Sequence, residues 1–151
     1  MPRKLSMERE TEFHELSSYI AFFATYVWKI APAKPSHPTT ALKDIAERYG
    51  KSRALEGLRQ AVNDTVEYGS DKPLSFVQEL DKQLRENKLI TFSEVRRRYS
   101  AAFKRVLRRG EIRNETEYYL ILGIVADCAA ELEPGEHIRL EEFISTYERA
   151  I

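Results

Sequence analysis

The chain has 151 residues, of which 42% are hydrophobic and 32% are charged, and its 24 basic and 24 acidic residues cancel to zero net charge. This length allows one domain with its own hydrophobic core, and this composition is typical of a globular protein rather than a disordered one. The single cysteine, Cys128, excludes an intramolecular disulfide.

The N-terminus has no feature of a signal peptide, because acidic residues occupy the positions where the apolar core of such a peptide would begin. We therefore expect a cytoplasmic protein. The apolar stretch from Leu16 to Ile30 is interrupted by polar residues and is shorter than the roughly 20 residues of a membrane span. This stretch therefore predicts a buried helix and no membrane association.

The first predicted helix begins at Ser6, whose hydroxyl can cap the first turn. An apolar stripe runs along it in steps of three and four residues, which is helical spacing. Its members are Phe13, Leu16, Ile20, Phe23, Val27 and Ile30. A second stripe of Tyr19, Phe22 and Tyr26 makes the later half of the helix apolar over most of its circumference. We predict that these three aromatic residues contact another chain, with a central position in a helical bundle as the alternative.

Residues 31–39 contain three prolines, which remove backbone donors and restrict the backbone. We therefore predict a proline-rich connector after the long aromatic helix, within a single domain. The alternative is that the first helix is an arm that swings out. Apolar residues at helical spacing then predict two helices that meet at Gly50 and another that starts near Pro73.

A strongly basic helix follows, and its N-terminus is predicted by a capping box of Thr91 and Glu94. Nine basic residues against two acidic ones lie between Lys88 and Arg113, whereas residues 114–151 carry two basic residues against nine acidic ones. The zero net charge therefore conceals two segments of opposite sign, and such segregation selects which partners are attracted.

At about 100° per residue, the predicted basic helix 92–109 has one apolar face and two cationic stripes. The stripes consist of Arg97, Lys104 and Arg108 and of Arg98, Arg105 and Arg109. Such stripes can neutralise several phosphates, so these six cations are the candidate nucleic-acid contacts. The competing interpretation is a solvated face that is partly paired with carboxylates of the acidic C-terminal segment.

Two further helices are predicted to start at Asn114 and at the Pro134-Gly135 turn, and no alternating β-branched run predicts a strand. We therefore predict an all-α fold, a compact bundle of about six or seven helices in a single domain covering residues 1–151. The three histidines belong to different elements without metal-ligand spacing, and we expect them at the surface. We predict no catalytic residue, cofactor or metal.

The sequence therefore favours a non-enzymatic protein-protein interaction domain of the adaptor, regulator or toxin-neutralising type, of bacterial character by size. The expected partner is another protein, and it could be a second copy of this chain in a homodimer. The aromatic helix or the charged faces would contact it. The alternative is a nucleic-acid-binding domain that uses the basic helix 92–109, and an α-helical enzyme comes third.

Overall fold

The computed structural model describes residues 5–127 and 131–151, and the regular elements in these ranges are all α-helices. The all-α prediction is therefore confirmed, with eight helices in this part of the chain rather than six or seven. The chain divides into two compact units, Met1–Thr65 and Val66–Ile151. The single domain predicted from the sequence stays a prediction, and Cys128 lies outside the described residues.

The first unit is built from α1 (Met7–Tyr26), α2 (Pro38–Tyr49) and all but the last three residues of α3 (Lys51–Tyr68). Helix α1 starts where the sequence predicts, because the Ser6 hydroxyl accepts a hydrogen bond from the Arg9 N–H at 3.3 Å. Two acidic residues in the first turn of α1, Glu8 and Glu10, also stabilise the helix through their interaction with the positive end of its dipole.

Helix α1 ends at Tyr26, so the prediction that Val27 and Ile30 continue its apolar stripe is wrong. The backbone N–H of Ile30 donates a hydrogen bond to the carbonyl oxygen of Ala24 at 3.0 Å. Lys29 adopts the left-handed conformation with φ of 59°, which closes the helix end without a glycine.

The proline-rich connector predicted over residues 31–39 is shifted towards the N-terminus, because α1 ends at Tyr26 and α2 already begins at Pro38. Proline suits this first helical position, where its missing N–H would have no partner in the helix. His37 is the N-cap residue of α2 and only 1% of its surface is exposed, so the predicted surface position is wrong for this histidine.

The core of the first unit consists of one face of each helix. Its buried apolar residues are Leu16, Tyr19, Ile20, Phe23 and Ala24 of α1, Leu42 of α2, and Ala54, Leu55, Leu58 and Val62 of α3. The hydroxyl of Tyr19 lies 2.8 Å from that of Thr65, which donates to the carbonyl oxygen of Val62. The one polar atom of the Tyr19 side chain is therefore satisfied inside the core.

The second unit contains α4 (Leu74–Glu86), α5 (Phe92–Tyr99), α6 (Ala101–Arg109), α7 (Glu115–Ala126) and α8 (Pro134–Ala150). The single basic helix predicted over residues 92–109 is wrong, because Ser100 has an extended backbone with ψ of 120°. Its N–H donates to the Arg96 carbonyl oxygen at 2.9 Å, and its hydroxyl accepts from the Phe103 N–H at 3.1 Å. Ser100 thus ends α5 and caps α6.

The core of the second unit includes a buried apolar cluster formed by α6, α7, α8 and the turn before α7. Its members are Phe103, Val106, Ile112, Leu120, Ile121, Ile124, Leu140 and Phe143. Phe92 is buried elsewhere in this unit, against the backbone of Gly69, where an added Cβ would overlap its ring. Glycine is therefore required at position 69 for the α5 ring to pack.

Candidate interaction surfaces

Glu94, in the first turn of α5, binds two of the predicted nucleic-acid contacts. Its carboxylate accepts from Arg97 Nη2 at 2.6 Å and from Arg98 Nε at 3.0 Å. The Glu131 N–H donates to the same carboxylate at 3.1 Å. Burial by itself would raise the pKa of Glu94, but the hydrogen bonds from Arg97, the Glu131 N–H and Arg98 together lower it below the ordinary value.

The acidic C-terminal segment supplies further carboxylates to the same two arginines. Glu136 lies 3.6 Å from Arg97 Nη1, and Glu131 lies 3.7 Å from Arg98 Nη2. The positive charge of Arg97 and Arg98 is therefore largely compensated within the second unit.

Arg109 is also held by a carboxylate, that of Glu117 in the first turn of α7. Its two Nη atoms donate to the two oxygens of Glu117 at 2.8 and 3.0 Å, which is the bidentate arrangement. The Arg113 N–H donates to the same carboxylate at 2.8 Å. The hydrogen bond from Arg109 is the main reason that the pKa of Glu117 is lowered.

The other three predicted cations, Lys104, Arg105 and Arg108, are exposed on α6. Within the described residues, none of them has an ion pair or a side-chain hydrogen bond. Only half of the predicted cationic surface is therefore available to a polyanion as the structure stands.

The three aromatic residues predicted as an interface on α1 lie in different environments. Tyr19 is completely buried in the first unit, so it is a core residue and cannot contact a partner. Phe22 is half-buried, and Tyr26 is 62% exposed. Their ring centroids are 4.7 Å apart, so the two rings form one aromatic pair near the end of α1.

A second surface on α1 was missed in the sequence, because it depends on how α1 packs against α2. A groove of about 280 Å³ is lined by Phe13 and Ser17 of α1, by Thr39, Leu42, Lys43 and Ala46 of α2, and by Lys51 of α3. Its wall is almost entirely apolar, and the two charged residues that line it are both lysines. At 100° per residue, Phe13 and Ser17 lie on the opposite side of α1 from the aromatic pair.

Besides Glu94 and Glu117, the carboxylates of Asp81 and Asp127 are buried in the second unit, and the sequence analysis identified neither of these two. Asp81 of α4 accepts from the Ser93 N–H at 2.9 Å and from the Ser93 hydroxyl at 2.5 Å. Asp127, at the end of α7, accepts from the Thr91 hydroxyl at 2.5 Å and from Arg85 Nη2 at 2.6 Å. Both carboxylates therefore hold the start of α5 in place.

Burial is the main reason that the pKa of Asp81 is raised, to about 6. The hydrogen bonds from Ser93 oppose this rise, and the nearby negative charge of Asp127 adds to it. The position of Asp81 beside the apolar stripe of α4 was the available sequence signal, since a carboxylate next to buried leucines needs local donors.

The described residues contain no group of three or more His, Cys, Asp or Glu side chains that could hold a metal ion. Among the helices of residues 5–127 and 131–151, none is both long enough and apolar enough to cross a membrane.

Comparison with protein-family models, with curated proteins and with solved structures gave no match.

Proposed function

We propose that this chain is a non-enzymatic protein-binding domain whose groove between α1 and α2 takes up apolar side chains from an acidic segment of a partner protein. The observation that carries the proposal is the lining of that groove. Leu42, Phe13 and Ala46 provide an apolar wall, and the charged residues beside it are Lys43 and Lys51.

The apolar wall favours an amphipathic partner segment, because aliphatic or aromatic anchors at helical spacing can enter such a groove between helices. A volume of about 280 Å³ accommodates one or two side chains rather than a whole small-molecule cofactor. The groove is therefore suited to the anchor residues of a peptide or helix.

The two lysines favour acidic residues next to those anchors. Lys51 Nζ lies 3.3 Å from a Glu10 oxygen, and both side chains of that pair are partly exposed. Lys43 is exposed and has no ion pair within the described residues. Opposite charge at the rim of an interface raises the association rate and selects the partner more than it adds affinity. A domain of this kind acts as an adaptor, a regulator or a neutralising partner of another protein.

The test is a selection of displayed random 16-residue peptides on the whole chain, followed by fluorescence polarisation of the selected peptides. We expect peptides in which apolar residues at helical spacing alternate with Asp and Glu. Ala46→Arg places a long cationic side chain in the groove and is expected to weaken their binding at least tenfold.

Ala41→Arg is the matched control, since Ala41 is exposed on the same helix, and five residues place it about 140° around the axis from Ala46. This variant is expected to bind the selected peptides as the wild type does. The proposal fails if no peptide is enriched, or if Ala46→Arg and Ala41→Arg bind equally well.

The aromatic pair of Phe22 and Tyr26 supports a second copy of the chain as a further partner. Tyrosine and phenylalanine are enriched at the centres of protein interfaces, and here Tyr26 is exposed while Phe22 is half-buried beside it. Light scattering of the wild type against Tyr26→Glu tests this form of the proposal, and a wild-type monomer at high concentration would contradict it.

A second candidate function is nucleic-acid binding, and the observation that favours it is the exposed cluster of Lys104, Arg105 and Arg108 on α6. Three cations on one helix face can contact a phosphate backbone. The pairing of the other three predicted cations with carboxylates makes this the weaker candidate.

A further inference from the structure

The second unit contains a pocket of about 290 Å³ at the starts of α4 and α7. It is lined by residues of the turn before α4, of the first turn of α4 and of the first two turns of α7, and by one side chain of α5. The pocket is at the lower end of the size range of small-molecule sites. It shares no lining residue with the groove between α1 and α2.

Arg96 of α5 provides the cationic side of this pocket and is only 4% exposed. Its guanidinium carbon lies 4.8 Å from the centroid of the Phe92 ring. An added Cβ on Gly123 would lie 3.1 Å from Arg96 Nη2 and 3.4 Å from a methyl of Val77. The glycine therefore leaves space for the guanidinium at the wall of the pocket. The positive charge of Arg96 is close enough to Asp81 to oppose the rise in the pKa of that carboxyl.

The other charged residues of the lining are of mixed sign. Asp71 and Glu115 are exposed, and neither has a side-chain partner within the described residues. The ammonium of Lys72 lies 4.6 Å from the centroid of the Tyr68 ring, which holds that charge over the ring. The pocket thus combines a buried guanidinium with two exposed carboxylates.

The remaining wall is apolar and includes Leu74, Val77 and Leu120. A simple anion would be attracted by Arg96 and Lys72 and repelled by the two carboxylates, and a simple cation would be attracted and repelled by the opposite groups. A ligand with both charges and an apolar side chain can satisfy all three parts of the lining.

We infer that this pocket binds a free α-amino acid with an apolar side chain. The ligand carboxylate lies against the Arg96 guanidinium, its ammonium group lies between Asp71 and Glu115, and its side chain packs on Leu74 and Val77. Arginine is suited to this role because its planar donors match a carboxylate.

Three probes with a shared carbon skeleton test the inference. They are L-leucine, 4-methylpentanoate, which lacks the ammonium group, and 3-methylbutylamine, which lacks the carboxylate. Each is titrated into the ¹⁵N-labelled whole chain, and shifts of backbone amides and of the Arg96 Nε–H are recorded by NMR. We expect saturable shifts of Arg96, Leu74 and Thr116 with L-leucine, and at least fivefold weaker binding of the other two probes.

Asp71→Asn/Glu115→Gln changes only the exposed side of the pocket, so it is expected to fold normally. It should weaken L-leucine binding about threefold to tenfold, as for the loss of two exposed charge interactions. It should also strengthen 4-methylpentanoate binding, because the repulsion is removed. Glu86→Gln, at the far end of α4, is the matched control and should change neither affinity.

The inference is overturned if L-leucine causes no saturable shift at 20 mM, or if either single-charge probe binds as tightly as L-leucine. It is equally overturned if the double variant and Glu86→Gln give the same affinities. Arg96→Lys, which retains the charge but loses the planar donors, is expected to weaken L-leucine binding, and circular dichroism checks its fold.

Discussion

The imidazole of His37 joins the connector to α1 through the hydroxyl of Thr25, which lies 3.0 Å from Nε2. That hydroxyl donates to the carbonyl oxygen of Ala21 at 2.7 Å, so it accepts from His37. Nδ1 in turn accepts from the Thr39 N–H at 3.1 Å. These partners assign the neutral tautomer with the proton on Nε2. One side chain therefore caps α2 and holds the connector against α1, contrary to the alternative of a freely swinging arm.

His37→Ala is expected to lower the free energy of unfolding by about 2 kcal/mol, because it removes the N-cap of α2 and the hydrogen bond to the Thr25 hydroxyl. His37→Asn should lose less, since asparagine is a good N-cap residue. Urea unfolding followed by circular dichroism measures both. His14→Ala, at an exposed histidine of α1, is the control, and equal stabilities of the two alanine variants would contradict the assigned role.

Much of the fold could be predicted because helix starts leave local signals. Ser6, Thr91 and Asn114 each accept a hydrogen bond from the N–H three residues later, as their side chains predict. Gly110 ends α6 in the left-handed conformation with φ of 83°. These signals depend on neighbouring residues alone and so can be recognised in the sequence.

The break at Ser100 could not be predicted in the same way, because the apolar and cationic spacing continues across it. The acidic residue of the predicted capping box, Glu94, also behaves differently from the prediction, since its carboxylate binds arginines of α5. Likewise, the groove beside Leu42 and the buried pair of Tyr19 and Thr65 depend on tertiary packing. Local pattern cannot specify which side of an apolar helix another element will cover.

Asp81 is expected to make stability depend on pH. The pKa of Asp81 in the folded state is about 6, above its ordinary value of 3.8, so the folded state holds the proton more tightly than the unfolded state does. The stabilisation of the folded state by this proton is complete below the pKa of Asp81 in the unfolded state. It is lost as the pH rises through the pKa in the folded state. Between pH 4.5 and pH 7, the loss amounts to about 2 kcal/mol.

Asp81→Asn removes the titration and leaves an amide that can accept from the Ser93 N–H. The difference in unfolding free energy between wild type and variant should therefore change by about 2 kcal/mol between pH 4.5 and pH 7, with the variant gaining as the pH rises. Urea unfolding at both pH values measures this. A difference that stays constant with pH would show that Asp81 does not titrate in this range.

Glu94 is expected to have the opposite pH dependence, because its folded pKa is lowered from 4.5. Its contribution is present above the unfolded pKa and is lost as the pH falls through the folded value. Glu94→Gln should cost about 2 to 3 kcal/mol at pH 7, since it removes the charge that Arg97 and Arg98 share. Glu86→Gln is the exposed control in urea unfolding, and an equal effect of the two variants would contradict the central role of Glu94.

The number of exposed cations on α6 sets an upper limit on the number of phosphates that the protein can contact, and therefore on the salt dependence of nucleic-acid binding. With Lys104, Arg105 and Arg108 as the available contacts, a plot of log K against log salt for duplex DNA should be no steeper than about −2.7. Fluorescence anisotropy at several salt concentrations measures the slope, and Lys104→Glu/Arg105→Glu/Arg108→Glu should abolish the binding, whereas Lys82→Glu on α4 should not. A slope near −5 would mean that arginines now held by Glu94 and Glu117 are released on binding, and it would favour nucleic acid over a protein partner.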